Sequence, residues 1–119
     1  MNALRLTLKL LFGLFLSICV LVHVAGLFTH VSDESVFSHI THIITYGTCL
    51  FIAIRPTKQP AIIFPVAAIY PFSFHAACAI TTLLEQQRYN AICWLVVFML
   101  PLISWWVWVE RSDYLKNHK

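Results

Sequence analysis

Four stretches of the chain contain no Asp, Glu, Lys or Arg: Leu10 to Ser32, Ser35 to Ile54, Gln59 to Leu84 and Tyr89 to Val109. Each reaches the roughly 20 residues with which an apolar helix crosses about 30 Å of hydrocarbon. In a chain of 119 residues these runs leave only short connectors, so nearly all of it is committed to the bilayer. The balance of 60% hydrophobic to 11% charged residues departs from that of a soluble domain in the same sense. A membrane barrel is excluded because its strands alternate over about 10 positions, whereas these runs are continuously apolar. Helices also satisfy their own backbone groups without neighbours. The expected fold is all-α, a four-helix transmembrane bundle forming a single integral membrane domain over residues 1–119, with helices at about 8–29, 35–54, 60–84 and 90–109.

The start of the chain has a second reading, since "MNALRLTLK" and "LLFGLFLSICVLV" resemble the basic and apolar regions of a signal peptide, with "LSIC" before Cys19. The bulky Ile18 stands where a lipoprotein cleavage box wants a small residue, which favours a retained first helix. Orientation follows from the basic residues, which accumulate on the cytoplasmic side of short loops. Arg5, Lys9, Arg55, Lys58, Arg111, Lys116 and Lys119 fall on one side and only Arg88 on the other. Both termini are therefore expected in the cytoplasm, in the manner of a bacterial inner (plasma) membrane protein, with "THVSDES" and "EQQRYN" facing outward. The net charge of +3 is then the topological signal plus attraction to anionic lipid, and calls for no nucleic acid.

Trp105, Trp106 and Trp108 read as an aromatic belt at the inner interface, and Trp94 as one at the outer. Ser32 or Asp33 is the expected N-cap of the second helix, and Pro60 suits the first turn of the third. Pro71 and Pro101 lie deep inside helices three and four, where each removes a backbone donor and is expected to kink its helix.

Histidines are the notable guests in these spans. Counting from the outer helix ends puts His23, His39, His42 and His75 in the outer half of the bundle, with His30 in or next to the outer loop and His118 in the cytoplasmic tail. Positions three, four and seven apart share a helix face. The resulting stripes are Cys19, His23, Gly26 and His30 on helix one, His39, His42, Tyr46 and Cys49 on helix two, and Pro71, His75, Cys78 and Thr82 on helix three. Polar seams on apolar helices turn inward, because an unpaired polar group facing lipid is costly.

Three uses of such a cluster compete. The plainest is interhelical hydrogen bonding of imidazole to Thr41, Thr45, Thr81, Tyr46 or a carbonyl freed by Pro71, worth on average about 0.6 kcal/mol. The second is a cofactor site: haem b held by two of His23, His42 and His75, or a Cu, Zn or Fe ion held by His23, His39, His42, His75 or His30. Asp33, Glu34 or Glu85 could serve such an ion from the mouth, with Cys78 one turn from His75. Phe28, Phe37, Phe72, Phe74 and Trp94 could wall a haem, although Arg88 alone would face its propionates. The third is ion or proton transport, disfavoured because the inner half offers only Ser17, Tyr70 and Ser104 as polar steps.

No CxxC, HExxH, Ser-His-Asp order or glycine-rich phosphate cradle is present, so no catalytic residues are assigned. The four cysteines are spread one per helix, with Cys78 and Cys93 near enough in the outer hairpin to approach one another. Likeness to small four-helix membrane cytochromes rests on architecture alone. The expected function is a histidine-bound haem or transition-metal centre, with electron transfer as its use. The alternatives are an accessory subunit or assembly factor meeting other membrane subunits through Trp-rich helix four, and a small ion or metal transporter.

Overall fold

Where each helix starts and stops follows from its end residues more than from its apolar run. The computed structural model describes residues 2–29, 34–85 and 91–119, and in them the chain forms α1 (Ala3–Thr29), α2 (Val36–Ile54), α3 (Ile63–Leu84) and α4 (Ala91–Asn117). All four are long and apolar enough to cross a membrane. The outer helices are longer than expected: α1 already begins at Ala3, capped by Asn2, whose Oδ1 accepts from the Arg5 amide at 2.9 Å. α4 continues to Asn117, through Glu110, Arg111 and Asp113. Charge bounds an apolar run, but it does not stop a helix.

The N-cap of α2 is Ser35, whose hydroxyl accepts from the Ser38 amide at 3.1 Å; the expected caps, Ser32 and Asp33, lie outside the described residues. α2 ends at Ile54 because Arg55 precedes Pro56, and a residue before proline is pushed away from helical geometry. Pro60 is not in the first turn of α3. It sits in the preceding turn, where its carbonyl accepts from the Ile63 amide at 3.1 Å, and Pro65 takes the first-turn place instead. α3 and α4 remain helical through Pro71 and Pro101.

The helices pack in chain order, α1 on α2, α2 on α3 and α3 on α4, in a bundle 51 × 29 × 25 Å along its principal axes. Leu14, Ile44, Ile69 and Phe98, in the middle stretches of the four helices, are exposed. A soluble protein rarely leaves so much contiguous apolar surface bare, whereas lipid is its natural neighbour. The interior opposite them holds Phe12, Leu16, Ile52, Phe64, Leu100 and Ile103. At one end, Arg5 pairs with Glu110 at 3.3 Å and with Asp113, so the start of α1 and the end of α4 share that end of the bundle.

At the end of α4 that carries these ion pairs, the expected aromatic belt holds only in part. Trp105 and Trp108 are 59% and 60% exposed, but Trp106 is 4% exposed and lies edge-on against Phe12, with ring centroids 5.3 Å apart. The 100° step of a helix cannot put three residues of W-W-x-W on one face. In single-tryptophan variants reconstituted with brominated lipids, Trp105 and Trp108 should be strongly quenched and Trp106 spared; equal quenching of all three would contradict this packing.

Candidate functional site

The polar seams of α1, α2 and α3 do converge. His23, His39, His42 and His75 are all buried, His42 completely. The rings of His23 and His42 stack almost in parallel, with centroids 4.1 Å apart and planes 5° apart. His75 approaches both, at 6.4 Å from His23 and 5.5 Å from His42. One ring nitrogen from each of His23, His42 and His75 lies within 4.8 Å of the other two, and the same holds for a second group made of His23, His39 and a Glu34 carboxylate oxygen. His30 lies outside the described residues.

Glu34 organises the cluster. It directly precedes the Ser35 cap and turns inward, its side chain 14% exposed. Its Oε1 accepts from the Ser38 hydroxyl at 2.6 Å and from His42 Nδ1 at 2.8 Å. The carboxylate also lies 3.8 Å from His23 Nδ1 and 3.7 Å from His39 Nδ1. Since the Ser38 proton is directed to Glu34, the Tyr70 hydroxyl 3.1 Å away donates to Ser38 Oγ. The chain of donors thus runs from α3 through α2 to a carboxylate at the mouth of the bundle.

This network settles the tautomer of His42. Its Nδ1 faces two acceptors, Glu34 and the Ser38 carbonyl at 2.9 Å, so Nδ1 carries the proton and Nε2 keeps the lone pair. That Nε2 is buried and has no hydrogen-bond partner among the described residues, and neither has His75 Nε2. His75 is also held from behind, its Nδ1 3.4 Å from Cys93 Sγ on α4, where either the ring N–H or the thiol donates. An imidazole fastened at one nitrogen with the other bare is how metal-binding histidines are oriented, the second partner fixing tautomer and ring direction. His23 Nδ1 lies 3.1 Å from His39 Nδ1, so one of these two nitrogens donates to the other.

Several partners differ from those expected. Thr41 and Thr45 donate to the carbonyls of Phe37 and Thr41 on their own helix, each at 2.8 Å, and so do not serve the histidines. Phe28 and Phe37 point outward, as the helical phase of the buried histidines requires, and wall nothing. Phe74 and Tyr70 do flank the site, with centroids 4.8 and 4.9 Å from His42. Tyr70 therefore belongs to the histidine cluster and not to a separate inner step; the reach of a tyrosine side chain is invisible to depth counting along a helix. The thiol on His75 is Cys93, from the helix that has no histidine in its membrane span, and all four cysteines are free of disulfides. Among carboxylates, Asp33 lies outside the described residues and Glu85 is exposed at the end of α3.

The arrangement suits an ion better than a macrocycle. The three rings already touch each other and Tyr46, Tyr70 and Phe74, so no porphyrin-sized gap separates any pair. A larger space exists elsewhere: an open apolar groove of about 910 Å³ between α3 and α4, lined by Pro65, Phe72, Pro101 and Trp105 and containing no histidine. Comparison of the chain with family models, curated proteins and solved structures finds no match.

Close backbone approach makes the cluster possible. A Cβ added to Gly26 would overlap the His39 ring, so the glycine on α1 is what lets that imidazole lie across it. Gly26→Ala should lower stability by about 1–3 kcal/mol, the usual cost of forcing volume into a packed interior. In a double-mutant cycle read by thermal unfolding in detergent, His39→Ala should remove most of that cost. Additive losses would mean the two do not share space.

Proposed function

We propose that this integral membrane protein binds one divalent transition-metal ion through His23, His42 and His75, near the end of the bundle opposite the Arg5 ion pairs. The observation that carries the reading is the pair of bare, buried Nε2 atoms on His42 and His75, each ring being fixed through Nδ1. A buried polar atom without a partner costs about 1–3 kcal/mol, and a ligand to both converts that cost into a bond. Imidazole donors suit Zn, Cu and Fe(II), and three such ligands leave a position open on a four-coordinate ion. The lone pairs of stacked rings run side by side, so the ion is taken up with rotation of the His23 ring against His42. With the basic residues inside, the site faces the exoplasmic half of a bacterial inner membrane and both termini are cytoplasmic.

Purified protein should bind one Co(II) or Zn(II) per chain, read by elemental analysis and by the visible bands of tetrahedral cobalt. His42→Ala or His75→Ala should weaken that binding by about 10- to 100-fold or more, since even second-shell losses at metal histidines have that effect. Wild-type protein that retains no ion after gel filtration would reject the reading. For orientation, a C-terminal green fluorescent protein fusion should fluoresce while a C-terminal alkaline phosphatase fusion stays inactive; the reverse result would invert the topology.

A further inference from the structure

Two donor groups share His23. One joins it to His42 and His75; the other joins it to Glu34 and His39, whose Nδ1 atoms and carboxylate oxygens lie 3.1, 3.7 and 3.8 Å apart. Ligands at about 2.0–2.1 Å from a tetrahedral ion stand roughly 3.3 Å from one another. The second group is therefore already close to coordinating distances. It is also the nearer of the two to the end of the bundle: Glu34 precedes α2, His39 is in its first turn, and His42 is one turn deeper and wholly enclosed.

Two ions at once would place two divalent charges across one imidazole ring, with Glu34 the one carboxylate described in the cluster. Their repulsion is four times that of a unit pair at the same distance, and the enclosed site screens it poorly. Single occupancy is the lower-energy arrangement. We infer that His23, Glu34 and His39 form an outer loading site from which a single ion passes to His23, His42 and His75, with His23 bound to it in both positions. The inference rests on the metal-binding reading above.

Glu34 changes partner during this transfer. With the ion outside, its carboxylate ligates the metal; with the ion inside, it returns to the N–H of His42 and fixes the ring that now binds through Nε2. His23 rotates its ring between the two sets, and Gly26 leaves the His39 ring room on α1. Besides the metal–ligand contacts, no covalent bond changes except N–H: the proton shared between His23 Nδ1 and His39 Nδ1 must leave that pair before both nitrogens can ligate, and the Glu34–His42 hydrogen bond opens and re-forms. Protons displaced from donor nitrogens leave through the mouth by which the ion enters.

The test is stopped-flow loading of detergent-solubilised protein with Co(II), followed by the cobalt bands. His39→Ala should load at least about tenfold more slowly than wild type, a factor equivalent to 1.4 kcal/mol in the barrier. His75→Ala should still take up one Co(II), but with a ligand set of two nitrogens and a carboxylate by X-ray absorption. Glu34→Gln, which preserves shape while removing the charge, should slow loading as His39→Ala does and guards against a folding defect in that variant. Wild-type rates in both His39→Ala and Glu34→Gln would overturn the loading site while leaving the inner site standing. Two ions per wild-type chain would overturn single occupancy. Wild-type protein that takes up no cobalt would overturn both readings together.

Discussion

A carboxylate drawn inside an apolar bundle sets the terms for everything around it. Bringing an ion out of water costs several kcal/mol even after the protein relaxes, and the cost is recovered only if donors surround it. Glu34 is met by the Ser38 hydroxyl and the His42 ring, with His23 and His39 a little further off. Those groups come from α1 and α2, and Tyr70 adds α3 through Ser38. The relative rotation of three helices is thereby tied to one side chain.

Between the polar ends of the bundle there is little besides shape to specify packing. Lipid tails are as apolar as leucine, so helices in a membrane gain nothing from burying apolar surface against one another and depend on close contact and hydrogen bonds. The core around Leu16, Ile52, Phe64 and Leu100 supplies contact. The histidine cluster at one end, and the Arg5 pairs with Trp106 on Phe12 at the other, supply direction.

Much of the architecture was legible because it rests on composition over long windows: four uncharged runs can only be four helices. The inward turn of His23, His42 and His75 was legible too, since helical phase alone separates polar from apolar faces. Individual partners were not. Tyr70 sits nearer the opposite end of its helix than His75, yet its long side chain reaches Ser38, which spacing along one helix cannot reveal. Glu34 was visible only as one of three acids near the mouth; its inward turn is held by the Ser38 hydroxyl and His42 Nδ1, side-chain partners that spacing does not assign. Cys93 stood on a helix without histidines, and only the pairing of α3 with α4 brings it to His75. The place of Trp106 required the phase of α4 relative to α1, a tertiary fact.

The Arg5 pairs also bear on how the bundle is made. Their partners lie more than a hundred residues downstream, on α4. Until α4 enters the bilayer, a nascent chain carries that guanidinium uncompensated, and the first helix is held only by its neighbour. Insertion of α4 therefore fastens the start of α1 across almost the whole length of the bundle's sequence, and a chain that stops short of α4 keeps an unlatched first helix.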